Sequence, residues 1–321
     1  MNGRFLTMFS NFFTMKGKPE TPKLLFLSCS IITALSVITI IGFILLTAAP
    51  VLEQEGLGLI FGSTWNYETH QFGAWSFIVA TLMVTAITII LAVPLGFATA
   101  VYLSEWAPPW LDQTLMTLIE LLVGVPSVVY GIFGYFVLRS YFTNIINPFI
   151  GNTLGFIPLF QSSSSNSGIG ILLASTVLAI MILPIIVSLS REAMRGVPAE
   201  LREGSASLGA TQWETIRSLV IPASLSGIIT GVILGLMRAM GETMAIVMLI
   251  GNVSSTPTSI LDTAEPITAK ILLDIENYIT VPESKSALFA ISALLLFMEI
   301  GFIFAIHLIR DRLKRQVEGA T

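Results

Sequence analysis

Two charges sit inside an apolar run of this chain, Arg238 and Glu242, within Arg238-Ala-Met-Gly-Glu-Thr-Met244. An unpaired Arg at the centre of a membrane helix costs about 2.5–3.5 kcal/mol even on the mild insertion scale, so something must offset it. In a continuous helix, residues four apart share a face, which lets Glu242 partner the guanidinium. The pair then reads in two ways. It is either a structural ion pair, or a site where the planar fork of Arg238 donates two hydrogen bonds to an anion while Glu242 holds the guanidinium and limits how tightly the anion binds. A further charge, Glu299, lies midway along another apolar run and reads as structural, because no sequence neighbour completes a site. Snorkelling to the interface explains Glu120 and Arg139, and the same holds for His307.

Other chemistries lack their residues. A phosphate-binding Gly-x-x-x-x-Gly-Lys-Ser/Thr loop is missing; Gly17-Lys18-Pro19 has neither the first Gly at the needed spacing nor the hydroxyl, so energy for any driven process must come from another chain. The two histidines, His70 and His307, make no metal cluster, and no His-Glu-x-x-His or Gly-x-Ser-x-Gly is present. The single cysteine, Cys29, sits in an apolar run and reads as a small filler. The expectation is a non-catalytic chain that binds no cofactor or metal.

The elements that must carry Arg238 and Glu242 are membrane helices. Charged residues are 11% against about 25% in globular chains, and 54% of the 321 residues are hydrophobic. Net charge is −4 with the basic residues dispersed, which excludes nucleic acid. Apolar runs predict six spans in an all-α membrane domain over 24–309: Leu24–Ala48, Trp75–Leu103 kinked at Pro94, a broken span, Gly168–Leu189, Ser224–Ile250 and Ala287–Ile309. In the broken span, an amphipathic piece, Leu111–Leu122, meets Gly124-Val-Pro126 before the chain continues to Phe142. The first run is too long for a signal peptide. Residues 143–167 read as a loop, with a flexible polar tract over Gln161–Ser167. Gly227, Gly231 and Gly235 form a small-residue stripe that suits either packing within the chain or contact with a partner.

Of sixteen Lys and Arg, four precede the first span, four lie between the fourth and fifth (Arg191, Arg195, Arg202, Arg217) and four follow the sixth. This bias places those regions, with the segments 1–23 and 310–321 and both termini, in the cytoplasm. The connection Ser104–Asp112 belongs on the same side yet has no Lys or Arg.

Between the fourth and fifth spans, Gly209 reads as a helix stop and Thr211 as the N-cap of a short new helix, with Glu214 completing a capping box. Pro222 then resets the chain before the fifth span. Glu203, Gly209 and Pro222 stand at the spacing of the Glu-Ala-Ala, Gly, Ile-x-Leu-Pro pattern, and here the chain resembles permease subunits of binding-protein-dependent ABC importers. Gly204 and Ser205 replace the two alanines, and Leu219 and Ile221 exchange the two aliphatics. Phe72-Gly73, the run from Thr81 to Pro108, Gly124-Val-Pro-Ser-Val-Val-Tyr-Gly131 and Arg238 to Met244 are similar to phosphate importer permeases of the PstC type. The resemblance implies a type I importer fold with a core over about 72–309. It also implies a coupling loop over 190–222 that docks a partner ATPase through Glu203, Gly209, Ala210, Thr211, Trp213 and Ile216. Its further implications are a substrate path through Arg238 and Glu242, a homologous second permease, two ATPase subunits that use ATP and Mg, an extracytoplasmic phosphate-binding protein, and an inner-membrane location. The competing reading is an ATP-independent anion channel or secondary transporter, which needs no docking loop. A membrane enzyme is disfavoured by the missing acid–base residues.

Overall fold

In a computed structural model, residues 20–161 and 167–318 are described; parts of the polar tract and the terminal segments fall outside them. The helices are α1 (Glu20–Glu55), α2 (Gly58–Phe61), α3 (Trp75–Glu105), α4 (Pro109–Val123), α5 (Ser127–Leu154), α6 (Ile171–Arg195), α7 (Ala199–Ser207), α8 (Gln212–Gly241), α9 (Met244–Leu249), α10 (Ile267–Tyr278) and α11 (Pro282–Glu318). A two-stranded hairpin, β1 (Trp65–Asn66) and β2 (Gln71–Phe72), precedes α3. Among the described residues, five helices are long and apolar enough to cross a membrane, and α4 with α5 makes a sixth span if the bent pair counts as one. The chain divides after Thr47, a boundary that α1 runs through; within the first unit, Leu24 to Ile40 are all exposed, as a lipid-facing helix requires.

Several boundaries differ from the sequence reading, each for a local reason. Residues 143–154 are helical, because α5 continues through two π-helical turns, Gly134–Leu138 and Phe142–Ile146. Pro126 separates α4 from α5 by a bend of 97°. Pro222 does not reset the chain: a π-helical turn at Ile216–Val220 ends with the Ile221 amide donating to the Ile216 carbonyl, and this absorbs the proline inside one long α8. By contrast, the fifth span breaks at Glu242, which is extended.

The glycine stripe faces inward. A Cβ at Gly227 would lie 2.4 Å from that of Ala193, and those at Gly231 and Gly235 would lie 3.1 Å from Leu189 and Ile186, all on α6. The stripe therefore seats α8 on α6 within the chain. At the far end of α3 from Glu105, Lys270 of α10 is buried between Glu265 (3.8 Å) and Asp274 (2.7 Å), beneath the rings of Trp65, Tyr67 and Phe77. Tyr67 donates to Asp274 and Ser254 to Glu265, so hairpin, loop and helix share one polar clasp. Burial raises the Glu265 carboxyl above its ordinary pKa, opposed by the Ser254 hydroxyl and the Lys270 charge.

Two substitutions test these contacts. Gly227→Ala should lower the thermal midpoint of the detergent-solubilised protein, since overpacking costs about 1–3 kcal/mol. Gly204→Ala, inside α7 with nothing within 4 Å, should not lower it and should raise it slightly, since Ala is the better helix former. Lys270→Met should cost about 3–5 kcal/mol by leaving two carboxylates buried without their cation. Glu265 folds with a raised pKa, so its contribution is retained below the ordinary carboxylate range and lost as pH rises through the raised value. Removing Lys270 raises it further, and the stability gap between Lys270→Met and wild type should widen as pH rises.

Candidate functional site

Arg238 lies in the last turn of α8, which ends at Gly241. The expected continuous helical face with Glu242 does not form. Glu242 instead turns its carboxylate to α9, where Oε1 accepts from the Ala245 amide at 3.2 Å, filling one of the donors that every helix start leaves open. Its carbonyl accepts from the Thr268 hydroxyl at 3.0 Å, which ties the break to α10. Among the described residues, no carboxylate lies within 4 Å of Arg238, and its side chain is exposed on the isolated chain. The open carbonyls at the C-terminus of α8 partly balance its charge, because a cation is favoured at the negative end of a helix.

The surroundings of this break come from distant segments. Tyr130 of α5 lies within electrostatic reach of Arg238 and donates to the Leu122 carbonyl at 2.9 Å, bridging the α4–α5 bend. The α5 backbone sits on α9: a Cβ at Gly131 would meet the Met248 sulfur at 2.7 Å. Glu299 of α11 comes to the same place, its Oε1 4.0 Å from where a Gly241 Cβ would stand. Sequence spacing missed Tyr130 and the placement of Glu299 because both arrive through tertiary packing. Arg139 and His307 have local roles, Arg139 donating to the Ser167 carbonyl at 2.9 Å and His307 bonding the Ile303 carbonyl.

The charged loop forms the expected elbow. Gly209 has φ +85°, and Thr211 and Glu214 make both bonds of the capping box. Glu203, Gly209, Thr211 and Trp213 are exposed and Ala210 is half-exposed. Ile216, taken from the sequence as part of the docking surface, is 1% exposed and packs instead with Met194, Val197 and Leu103. Leu208, which the sequence reading passed over, is 91% exposed at the tip.

The connection without Lys or Arg also gains an explanation. Asp112 receives Arg191 through a bidentate pair at 2.5 and 2.6 Å and Arg195 at 2.8 Å. Glu105 receives Arg202 at 2.5 Å. Trp106 stacks on Trp213, and Gln212 donates to the Glu105 carbonyl. The connection supplies acids to its Arg-rich neighbour, which requires both to lie on the same face of the membrane. Among the described residues, no group of three or more His, Cys, Asp or Glu is placed to hold a metal.

Comparison with known proteins fits this geometry. Residues 92–318 match the family described as the binding-protein-dependent transport system inner membrane component. The chain is 36% identical over 267 residues to the phosphate transport system permease protein PstC of Xylella fastidiosa strain 9a5c, covering 83% of this chain and 82% of that one. It is 39% identical over 244 residues to the probable ABC transporter permease protein YqgH of Bacillus subtilis strain 168, covering 76% and 74%. Among solved structures, a chain of the inward-facing MetNI methionine ABC transporter aligns with a TM-score of 0.50 at 17% identity, over 79% of this chain and 99% of that one. A chain of a bacterial alginate ABC importer aligns at 0.51 and 16% identity, over 89% and 95%. At such identities these two speak for the fold alone. With residues 92–318 matched, the chain belongs to the family of binding-protein-dependent transport system inner membrane components.

Proposed function

We propose that this chain is the permease subunit of an ATP-driven importer and forms the path for inorganic phosphate across the cytoplasmic membrane, with both termini in the cytoplasm. The observation that carries the reading is Arg238: a guanidinium within a membrane span, at a helix break, with no carboxylate within 4 Å among the described residues. Such a group has a bidentate fork ready for an oxyanion, and an intramembrane charge without a partner marks a path by default. Phosphate as that anion is supported by the similarity to PstC proteins.

In this reading a binding protein delivers phosphate from outside. A homologous second permease completes the path across the exposed face that carries Arg238, and two ATPase subunits dock on the elbow at Glu203, Gly209, Ala210, Thr211 and Trp213. ATP and Mg belong to those subunits; this chain performs no catalysis and binds no cofactor. Glu242 serves by ending α8 beside Arg238, because its carboxylate caps α9 and holds the chain extended at the break. The carboxylate thus positions the guanidinium without neutralising it, which keeps the fork free for the anion.

Arg238→Gln should abolish phosphate uptake by the assembled complex while the subunits still co-purify. Normal uptake by that variant refutes the path assignment. Phosphate transport by the chain purified alone, without ATP, establishes the channel or secondary transporter instead.

A further inference from the structure

The α3–α4 turn and the docking elbow are joined far more strongly than a loop contact requires. The Asp112 side chain is 3% exposed and the Glu105 side chain 5%, yet Asp112 meets Arg191 and Arg195 and Glu105 meets Arg202 at hydrogen-bond distance. Backbone acceptors reinforce both pairs: Arg202 also donates to the Met194 carbonyl at 2.7 Å, and Arg195 to the Leu103 carbonyl at 3.3 Å. Beneath them, Leu103, Met116, Met194, Val197, Ile216 and Val220 form one buried apolar cluster from α3, α4, α6, the α6–α7 turn and α8. A buried carboxylate with two or three charge-assisted bonds resists separation, because parting the pair leaves both charges desolvated.

We infer that Glu105 and Asp112 are positioning residues that carry movement of the ATPase-docking elbow into α4, and through the α4–α5 bend to the neighbourhood of Arg238. This rests on the importer reading above. The route is continuous in the structure: Arg202 of α7 holds Glu105 at the end of α3, Arg191 and Arg195 of α6 hold Asp112 in the first turn of α4, and Tyr130 of α5 grips the Leu122 carbonyl at the end of α4. Tyr130 in turn lies within electrostatic reach of Arg238. The α8 helix is thus one of two connections between elbow and path, and the second runs through acids outside the docking motif. When the elbow moves, α4 moves with it as one body, and displacement concentrates at Gly124-Val-Pro126, where Tyr130 crosses the bend.

The test uses the complete complex, with partner permease, ATPase and phosphate-loaded binding protein in proteoliposomes, and two readouts. Spin labels at Glu200→Cys on α7 and Leu118→Cys on α4, in a Cys29→Ser background, should keep one separation with and without nucleotide in the otherwise wild-type complex. In Glu105→Gln and Asp112→Asn that separation should change on ATP binding. Phosphate imported per ATP hydrolysed should fall roughly tenfold in both variants, within the range that mutations along a coupling route produce, while hydrolysis continues. Exchanging the charges, Glu105→Arg with Arg202→Glu, should recover both readouts relative to Glu105→Gln, which a purely steric role does not predict.

The inference is overturned if import per ATP is unchanged in both single variants. It is also overturned if the label separation changes with nucleotide in the wild-type background, or if import and hydrolysis fall in parallel, which marks lost docking or assembly. The separations report the clamp without reference to substrate. A wild-type complex that hydrolyses ATP but imports no phosphate therefore refutes the assigned substrate, while the clamp is still decided by the labels.

Discussion

The cost of taking a charge out of water governs this structure. In a chain with so few charged residues, each one near the membrane must be paired, carried to the interface or left for a ligand. The two ends of α3 show the paired solution. At one end Asp112 and Glu105 bind three Arg side chains, and at the other Lys270 lies between Glu265 and Asp274 under three aromatic rings. Buried pairs of this kind add little net stability compared with a well-packed apolar core, but parting them is expensive. They therefore act as fixed points between which the helices are strung.

Arg238 stands out against that background. A continuous helix would have brought Glu242 round to it after one turn, and the guanidinium would then be occupied by its own chain. The break at Glu242 prevents this. It spends the carboxylate on an amide of α9 and presents Arg238 beside helix-end carbonyls, whose partial charge moderates its cost without saturating its donors. Glu299, brought to Gly241 from α11, adds a carboxyl to the same junction. A site assembled from one helix end, one cap and residues of three other helices fits the proposed path, since non-helical backbone at membrane depth is tolerated where it is buried in protein or lines a cavity.

Much of this was legible in the sequence, for physical reasons that differ by element. Spans show because bilayer thickness imposes a length of apolar run, and the turn at Gly209-Ala-Thr211 shows because a left-handed glycine and a capping box are written in adjacent residue types. The break at Glu242 was not legible: Gly-Glu-Thr carries no proline, and the extended residue is held by two bonds it accepts, from the Ala245 amide and from the hydroxyl of Thr268, twenty-six residues away. Pro222 misled in the opposite sense, since a π-helical turn accommodates a proline that ordinarily ends a helix. The resemblance puts Ile216 on the docking surface, yet it faces inward and is buried in the apolar cluster under the elbow. The connection Ser104–Asp112, without Lys or Arg, stands as an exception to the charge rule, and the meaning of its acids depends on partners about eighty to a hundred residues on.

Packing also limits which parts can move. The glycine stripe presses α8 onto α6 so closely that a single methyl at Gly227 would collide with Ala193, so these two helices cannot slide past one another without losing their contact. The Arg191 and Arg195 pairs fasten α4 to the same α6, and the Arg202 pair fastens the elbow to the end of α3. Whatever displaces the elbow must displace α3, α4, α6 and the first part of α8 together. Two places beside Arg238 where the backbone leaves helix altogether, Gly124-Val-Pro126 and the extended residue Glu242, are left for flexure. Both border the space around Tyr130 and Arg238. On the proposed importer reading, a rigid base with two joints beside Arg238 converts a movement at the membrane face into a change of surroundings at that Arg, because both joints border the space it occupies.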